Sequence, residues 1–156
     1  MTPYMTPCAI PRYTIELVRD PTSPYTTSQS FISPHHIFAY LKPILEDQDR
    51  EHMYGIFLDT KHRIIGMHHI AMGSINQAII HPREVFKCAI LLNAAALVIA
   101  HNHPSSGDPT PSPEDRLLTT RLADAGELLG ITLLDHLVIG DNRFYSFADH
   151  GDLRDL

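Results

Sequence analysis

The sequence predicts an α/β fold, a mixed β-sheet sandwiched by helices. Three observations predict it. Apolar runs of strand length interleave with segments whose apolar residues recur at helical spacing. The helical segments open on Ser33-Pro34, Pro82 and Ser112-Pro113, a cap followed by proline or proline itself at the first helical position. The composition is that of a globular chain, 44% hydrophobic and 19% charged with 12 Pro and 8 Gly in 156 residues. That length suits one domain, and no internal repeat is visible.

Residues 1–32 read as a Pro/Thr/Ser-rich arm, with "YTIELVRD" at 13–20 alternating in a way that could add one edge strand. The domain proper spans 33–156. Its first helix starts at Ser33-Pro34 and carries Ile37, Leu41, Ile44 and Leu45 on one face, with Pro43 placed to kink or shorten it. Two apolar runs at 52–58 and 63–72, split by Asp-Thr-Lys-His, form a hairpin. Pro82 opens a second helix whose apolar set is Val85, Phe86, Ala89, Ile90 and Leu92, leading into a strand over 95–100. The third helix begins at Ser112-Pro113-Glu114-Asp115, continues through Leu118, Leu122, Ala125 and Leu129, and stops at Gly130. "ITLLDHLVIG" and "RFYSF" close the chain as two strands around a turn at Asp141-Asn142.

A formal charge of −6 without a basic run gives no electrostatic footprint for nucleic acid. Two cysteines, Cys8 and Cys88, make a disulfide framework improbable, and neither has a catalytic setting. The first thirty residues lack a cationic start followed by an apolar stretch, and no run approaches the ~18 apolar residues of a membrane span. The expected location is the cytoplasm.

The chemistry concentrates where the strand 95–100 breaks into "HNHPSSGDPTPSPED". His101 and His103 are two apart, so on a continuing strand both imidazoles face the same side and can share one ion. Asp115 offers a carboxylate from the first turn of the next helix. Two histidines and one carboxylate leave a fourth tetrahedral position open to water, the arrangement of a catalytic rather than a structural zinc site. A structural reading stands beside it: a histidine pair at a strand end is often solvated, and "SPED" is by itself a capping box. Of the other histidines, His35, His36, His52, His62, His68, His69 and His150 read as surface or strand-face residues without partners. His81, beside an element end, and His136, in a core strand, both read as hydrogen-bonded core histidines.

These segments, together with "GSINQAIIHPREVFKCAILLNAAALVIAHNHP", "LLDHLVIGD" and "DREHMYGIFLDTKHRIIG", strongly resemble the RadC family, a bacterial branch of the JAB/MPN metallopeptidase-like domains. The similarity runs from about Tyr13 to the end. It implies the JAB/MPN, cytidine-deaminase-like architecture and a JAMM-type signature: a glutamate ahead of the first core strand, His-x-His-Pro, then Ser-x-x-Asp. These map onto Glu51, onto His101 and His103, and onto Ser112 and Asp115. Glu84 competes for the acidic role, but it falls on a helix where a solvated face accounts for it. The chain departs from the family in one place: Ser105-Ser106 precede Gly107 where one serine is usual, so the loop to Ser112 is a residue longer. Added loop length costs little, so the loop is expected to bulge and leave the ligands in place. The resemblance is to the short form of the family, for which the amino-terminal helix-hairpin-helix module of long members is not expected.

The resemblance implies Zn²⁺ held by His101, His103 and Asp115 with water in the open position, Glu51 as general base, and Ser112 as donor to an oxyanion. The reaction would be hydrolysis of a peptide or isopeptide bond in a protein substrate. The alternative is a metal-binding, non-hydrolytic accessory of DNA repair or mobile-element DNA processing, which the family's associations suggest and the acidic composition disfavours. A metal-free scaffold, with Ser112 and Asp115 as a helix cap only, is a third reading. A serine hydrolase is disfavoured because no G-x-S-x-G elbow occurs, and a zinc nucleobase deaminase because H-x-E and P-C-x-x-C are absent.

Overall fold

The computed structural model describes residues 10–22, 30, 33–73 and 80–153. Three helices and five strands follow in the order α1 (Pro34–Leu45), β1 (Glu51–Leu58), β2 (Ile64–Gly73), α2 (Pro82–Leu91), β3 (Ala96–Asn102), α3 (Pro113–Leu129), β4 (Thr132–Ile139) and β5 (Phe144–Ser146). They form one mixed sheet of order β2-β1-β3-β4-β5. Only β3 and β4 run parallel, joined by the α3 crossover; every other neighbouring pair is antiparallel. The predicted α/β sandwich is therefore the fold observed.

The sheet separates two cores. On one face Met53, Phe57, Leu97 and Ile99 pack against Val85 and Phe86 of α2 and Leu118 and Leu122 of α3. On the other, Ile56, Leu58, Val98 and Ala100 pack against Ile37, Leu41 and Leu45 of α1. β3 has helices over both faces, so its seven residues are buried throughout, as expected of a central strand in a helix-covered sheet.

Several expectations shift. Pro43 lies inside α1 on an exposed face, and the helix runs two residues past it. Ile90 and Leu129 keep the helical apolar spacing but are 52% and 46% exposed, because each sits near the end of its helix. The edge strand considered for 13–20 does not form: these residues are irregular and exposed along their length. Among the described residues no strand pairs with the alternation at Ile15 and Leu17, and Pro11 and Pro21 bracket it. One isolated antiparallel bridge, Ser30 to Arg63, touches the start of β2. Cys8 lies outside the described residues; Cys88 is a free, half-buried thiol.

Candidate metal centre

β3 positions the first two groups. His101 lies on the face shared with Leu97 and Ile99, toward α3. His103 follows just beyond the strand, its N–H donating to the Ile139 carbonyl of β4 at 2.8 Å. α3 supplies the third. Its N-cap is Ser112, whose Oγ accepts from Asp115 N at 3.1 Å, while Ser112 N donates to Asp115 Oδ2 at 2.8 Å. This reciprocal capping box satisfies the open helix end. It also fixes the Asp115 carboxylate against β3.

The three side chains converge. His101 Nε2 is 3.1 Å from His103 Nε2 and 3.1 Å from Asp115 Oδ1, and His103 Nε2 is 3.4 Å from Asp115 Oδ2. One ligand atom from each lies within 4.8 Å of the others, and no other such group of three forms among the described residues. The extra serine does not separate them. Ser105 and Ser106 are exposed on a turn at 104–106, closed where Gly107 N donates to the His103 carbonyl at 3.0 Å.

Hydrogen bonding around the cluster fits a cation. His103 Nδ1 lies 2.8 Å from the Asp108 carbonyl, which can only accept, so Nδ1 carries the proton and Nε2 presents a lone pair. Asp115 is 1% exposed, and its Oδ1 has no hydrogen-bond donor even though His101 Nε2 is close by. A buried carboxylate oxygen left without a donor is costly. Two imidazole nitrogens and a carboxylate form the donor set of a borderline divalent ion. The electrostatics agree. The bond to Asp115 raises the His103 pKa; burial opposes it, while the Asp108 carbonyl and the charge of Glu51 reinforce it. Burial pushes the Asp115 carboxyl up, but contact with His101 and His103 outweighs it and holds the group far below the usual carboxylate range. The cluster demands positive charge.

Glu51 opens β1 on the same face as Met53, hence toward α3, and is half-buried. Its backbone is clamped on both sides by Asn102: His52 N donates to Asn102 Oδ1 at 2.7 Å and Asn102 Nδ2 donates to Arg50 O at 3.0 Å. Ser112 is half-buried; its hydroxyl oxygen is occupied as a cap, and its O–H finds no acceptor among the described residues. Glu84 sits on the exposed side of α2, paired with Lys87 at 2.9 Å. His103 borders a cleft of about 140 Å³ lined also by Lys42, Asn102, Pro104 and Asp141. A larger cavity, about 410 Å³, lies at the far end of α3 around Gly126 and Leu153, away from the cluster.

Some histidines have more structure than the sequence suggested. His52 is buried and its Nδ1 lies 3.0 Å from His69 Nε2; His150 stacks on Tyr145 and His35 meets Phe144 edge-on. His81, expected in the core, is instead exposed at the start of α2, where its Nδ1 caps the helix by accepting from Arg83 N. His136, expected in the core, is buried directly behind His101. Asn102, Thr119 and His136 are the polar residues that the sequence reading did not attach to the site. Asn102 between the two histidines and Thr119 four residues after Asp115 were the available signals.

A mixed sheet whose central strand ends in His-x-His, faced by an aspartate from a helix N-terminus, is the site of a JAB-type domain. The model of the RadC-like JAB domain matches residues 31–152, and the chain belongs to that family. It is similar to the UPF0758 protein of Pelobacter propionicus, 49% identical over 123 residues, 79% of this chain and 53% of that protein. The UPF0758 protein of Methanosarcina acetivorans is 45% identical over 122 residues, 78% and 53% of the two chains. The UPF0758 protein PM1152 of Pasteurella multocida is 46% identical over 123 residues, 79% and 54%. The chain thus spans about half the length of the curated relatives it matches. No helix among the described residues is long and apolar enough to cross a membrane.

Proposed function

We propose that the protein is a zinc-dependent metallopeptidase-like hydrolase that cleaves a peptide or isopeptide bond in a protein substrate. The observation carrying this reading is the convergence of His101, His103 and Asp115 around a buried carboxylate oxygen that lacks a donor. Zn²⁺ in this set would supply Lewis acidity and lower the pKa of a coordinated water toward about 7. Glu51, whose charge already reaches His103, is the group to accept a proton on that side and pass it to the departing amine. Asn102 keeps the Glu51 backbone fixed while this happens. Ser112 is free to donate its O–H to the oxygen of the scissile amide without surrendering its cap, because the cap uses the hydroxyl as acceptor. The cleft beside His103 is the approach for an extended segment.

The test begins with elemental analysis of the untagged protein. About one zinc per chain, lost in His103→Ala, is expected. Peptide and isopeptide libraries are then screened against the loaded protein with Glu51→Gln as control. Turnover that vanishes in Glu51→Gln supports the hydrolase. Failure of the wild type to take up Zn²⁺ overturns the metal-centred reading altogether.

A further inference from the structure

Behind the candidate centre runs a chain of hydrogen bonds whose direction is fixed by elementary donor and acceptor rules. Thr119 Oγ1 lies 2.7 Å from the Asp115 carbonyl and 2.7 Å from His136 Nδ1. A carbonyl cannot donate, so the single hydroxyl proton of Thr119 is committed to Asp115. The proton between Thr119 and His136 must then sit on His136 Nδ1. His136 is fully buried and stacked on Phe147 at 4.8 Å. Among the described residues its ring nitrogens meet Thr119 Oγ1 and His101 Nδ1 and no carboxylate, so an imidazolium buried here would lack a counter-charge and the ring is neutral. A neutral imidazole protonated at Nδ1 has a bare Nε2, and that atom lies 2.9 Å from His101 Nδ1. The proton in this last bond therefore belongs to His101 Nδ1. What remains on His101 is an Nε2 lone pair, turned into the cluster with His103 and Asp115.

From this chain of protons we propose that Thr119 and His136 are positioning residues that lock His101 in the Nδ1–H tautomer, so that its Nε2 is always available to a divalent cation. The proposal rests on the metal-binding reading of His101, His103 and Asp115. The arrangement links the strand ligand to the helix ligand: it starts at His101 on β3, crosses to His136 on the parallel neighbour β4, and ends on the backbone of Asp115 through Thr119, one turn along α3. His136 is itself pinned, since its N–H donates to Asp135 Oδ1 at 2.7 Å and Asp135 accepts further bonds from Ser146 Oγ and Ala148 N. A buried histidine held only to fill space would need neither the hydroxyl nor this orientation. Without Thr119, His136 could turn its proton to Nε2 and His101 could take the Nε2–H form. That form blocks the ligand position and gives the Asp115 carboxylate the donor it lacks.

Two measurements test this. The first is long-range ¹⁵N–¹H correlation of the metal-free wild type at pH 8, which reports the tautomer of each imidazole. His101 and His136 are expected in the Nδ1–H form; an Nε2–H His101 overturns the proposal. The second is Zn²⁺ affinity by chelator competition in Thr119→Val, Thr119→Ser and His136→Phe, with circular dichroism as a check of folding. Thr119→Val should weaken binding about 10- to 100-fold, as losses of outer-shell partners do, and Thr119→Ser should restore most of it. Equal affinity in folded Thr119→Val and wild type overturns the proposal, whatever His136→Phe does to folding. Absence of Zn²⁺ binding in the wild type defeats the metal-centred reading, and the tautomer spectrum still decides the assignment of His101.

Discussion

Replacing Asp115 by asparagine should change stability in opposite directions at low and high pH. The substitution keeps the shape and leaves an amide oxygen to accept from Ser112 N, which now donates to Asp115 Oδ2 at 2.8 Å. The other atom becomes an NH₂ within about the present 3.1 Å of His101 Nε2. With chelator present and the pH above the raised folded-state value of His103, that imidazole is neutral, and the wild type buries a carboxylate oxygen without a donor. Removing that defect is worth about 1–3 kcal/mol. At about 2–4 °C per kcal/mol for a domain of this size, Asp115→Asn should melt about 4–8 °C higher for a gain of about 2 kcal/mol. Below pH 6 the sign reverses. The raised His103 pKa means its contribution is fully present below about 6.5 and is lost as pH rises through the folded-state value. The depressed Asp115 pKa means its contribution is present above about 3.9 and lost only in stronger acid. Between those limits Asp115 faces an imidazolium, and deleting one partner of a buried pair costs about 3–5 kcal/mol. Differential scanning fluorimetry across pH with chelator present should show the two melting curves cross. Excess Zn²⁺ should stabilise the wild type by about 2.7 kcal/mol at a hundred times Kd and leave Asp115→Asn nearly unmoved. A variant less stable by a constant amount at every pH would show that Oδ1 is satisfied in the native state and that no orphaned oxygen awaits a cation.

Two further substitutions probe the supports of the site. Asn102→Ala removes the two bonds that hold Arg50 and His52 on either side of Glu51; stability should fall by about 1–3 kcal/mol in urea titration, with zinc stoichiometry retained and Glu51-dependent turnover reduced. Gly140→Ala would place a Cβ 2.2 Å from the Gly107 carbonyl oxygen and 2.9 Å from Pro109 N. It should cost about 1–3 kcal/mol by overpacking and raise the zinc dissociation rate, measured by chelator capture, because the loop bonded to His103 Nδ1 through Asp108 must shift.

The three convergent groups were readable because each depends on local structure. His101 and His103 need only the two-residue period of a strand end, and Asp115 needs only the capping pattern that starts α3. Thr119 and His136 depend on something local patterns do not carry. Their contact requires β4 to lie parallel to β3 with Ile99 opposite His136, in a register that includes an irregularity between Leu97 and Val98. A histidine inside "LLDHLVIG" therefore reads as a core residue until the pairing is known. The misplaced apolar residues have the converse cause. Ile90 and Leu129 obey helical periodicity, yet periodicity does not say how far a helix extends past the element it covers. Residues 13–20 alternate like a strand, yet no strand among the described residues pairs with them, and alternation without a ladder does not make a strand.

The tolerance of the longer loop follows from where its ends are held. Adding one residue to a loop of about eleven raises its closure cost by only about 0.1 kcal/mol. A ligand would still be lost if its anchors lay in the added turn, but those of His103 and Asp115 lie outside it, at Ile139, Asp108 and Ser112. His103 is tied to β4 through the Ile139 carbonyl, and Asp115 is tied to its own helix by the capping box. The far half of the loop is pinned as well, where Asp141 N donates to the Gly107 carbonyl at 2.8 Å and Gly107 adopts a left-handed φ of 64°. The added serine is left to the exposed turn at 104–106, a stretch between two fixed points that carries no ligand atom. Variation in that turn should alter what reaches the cleft beside His103 rather than what the three ligands can hold.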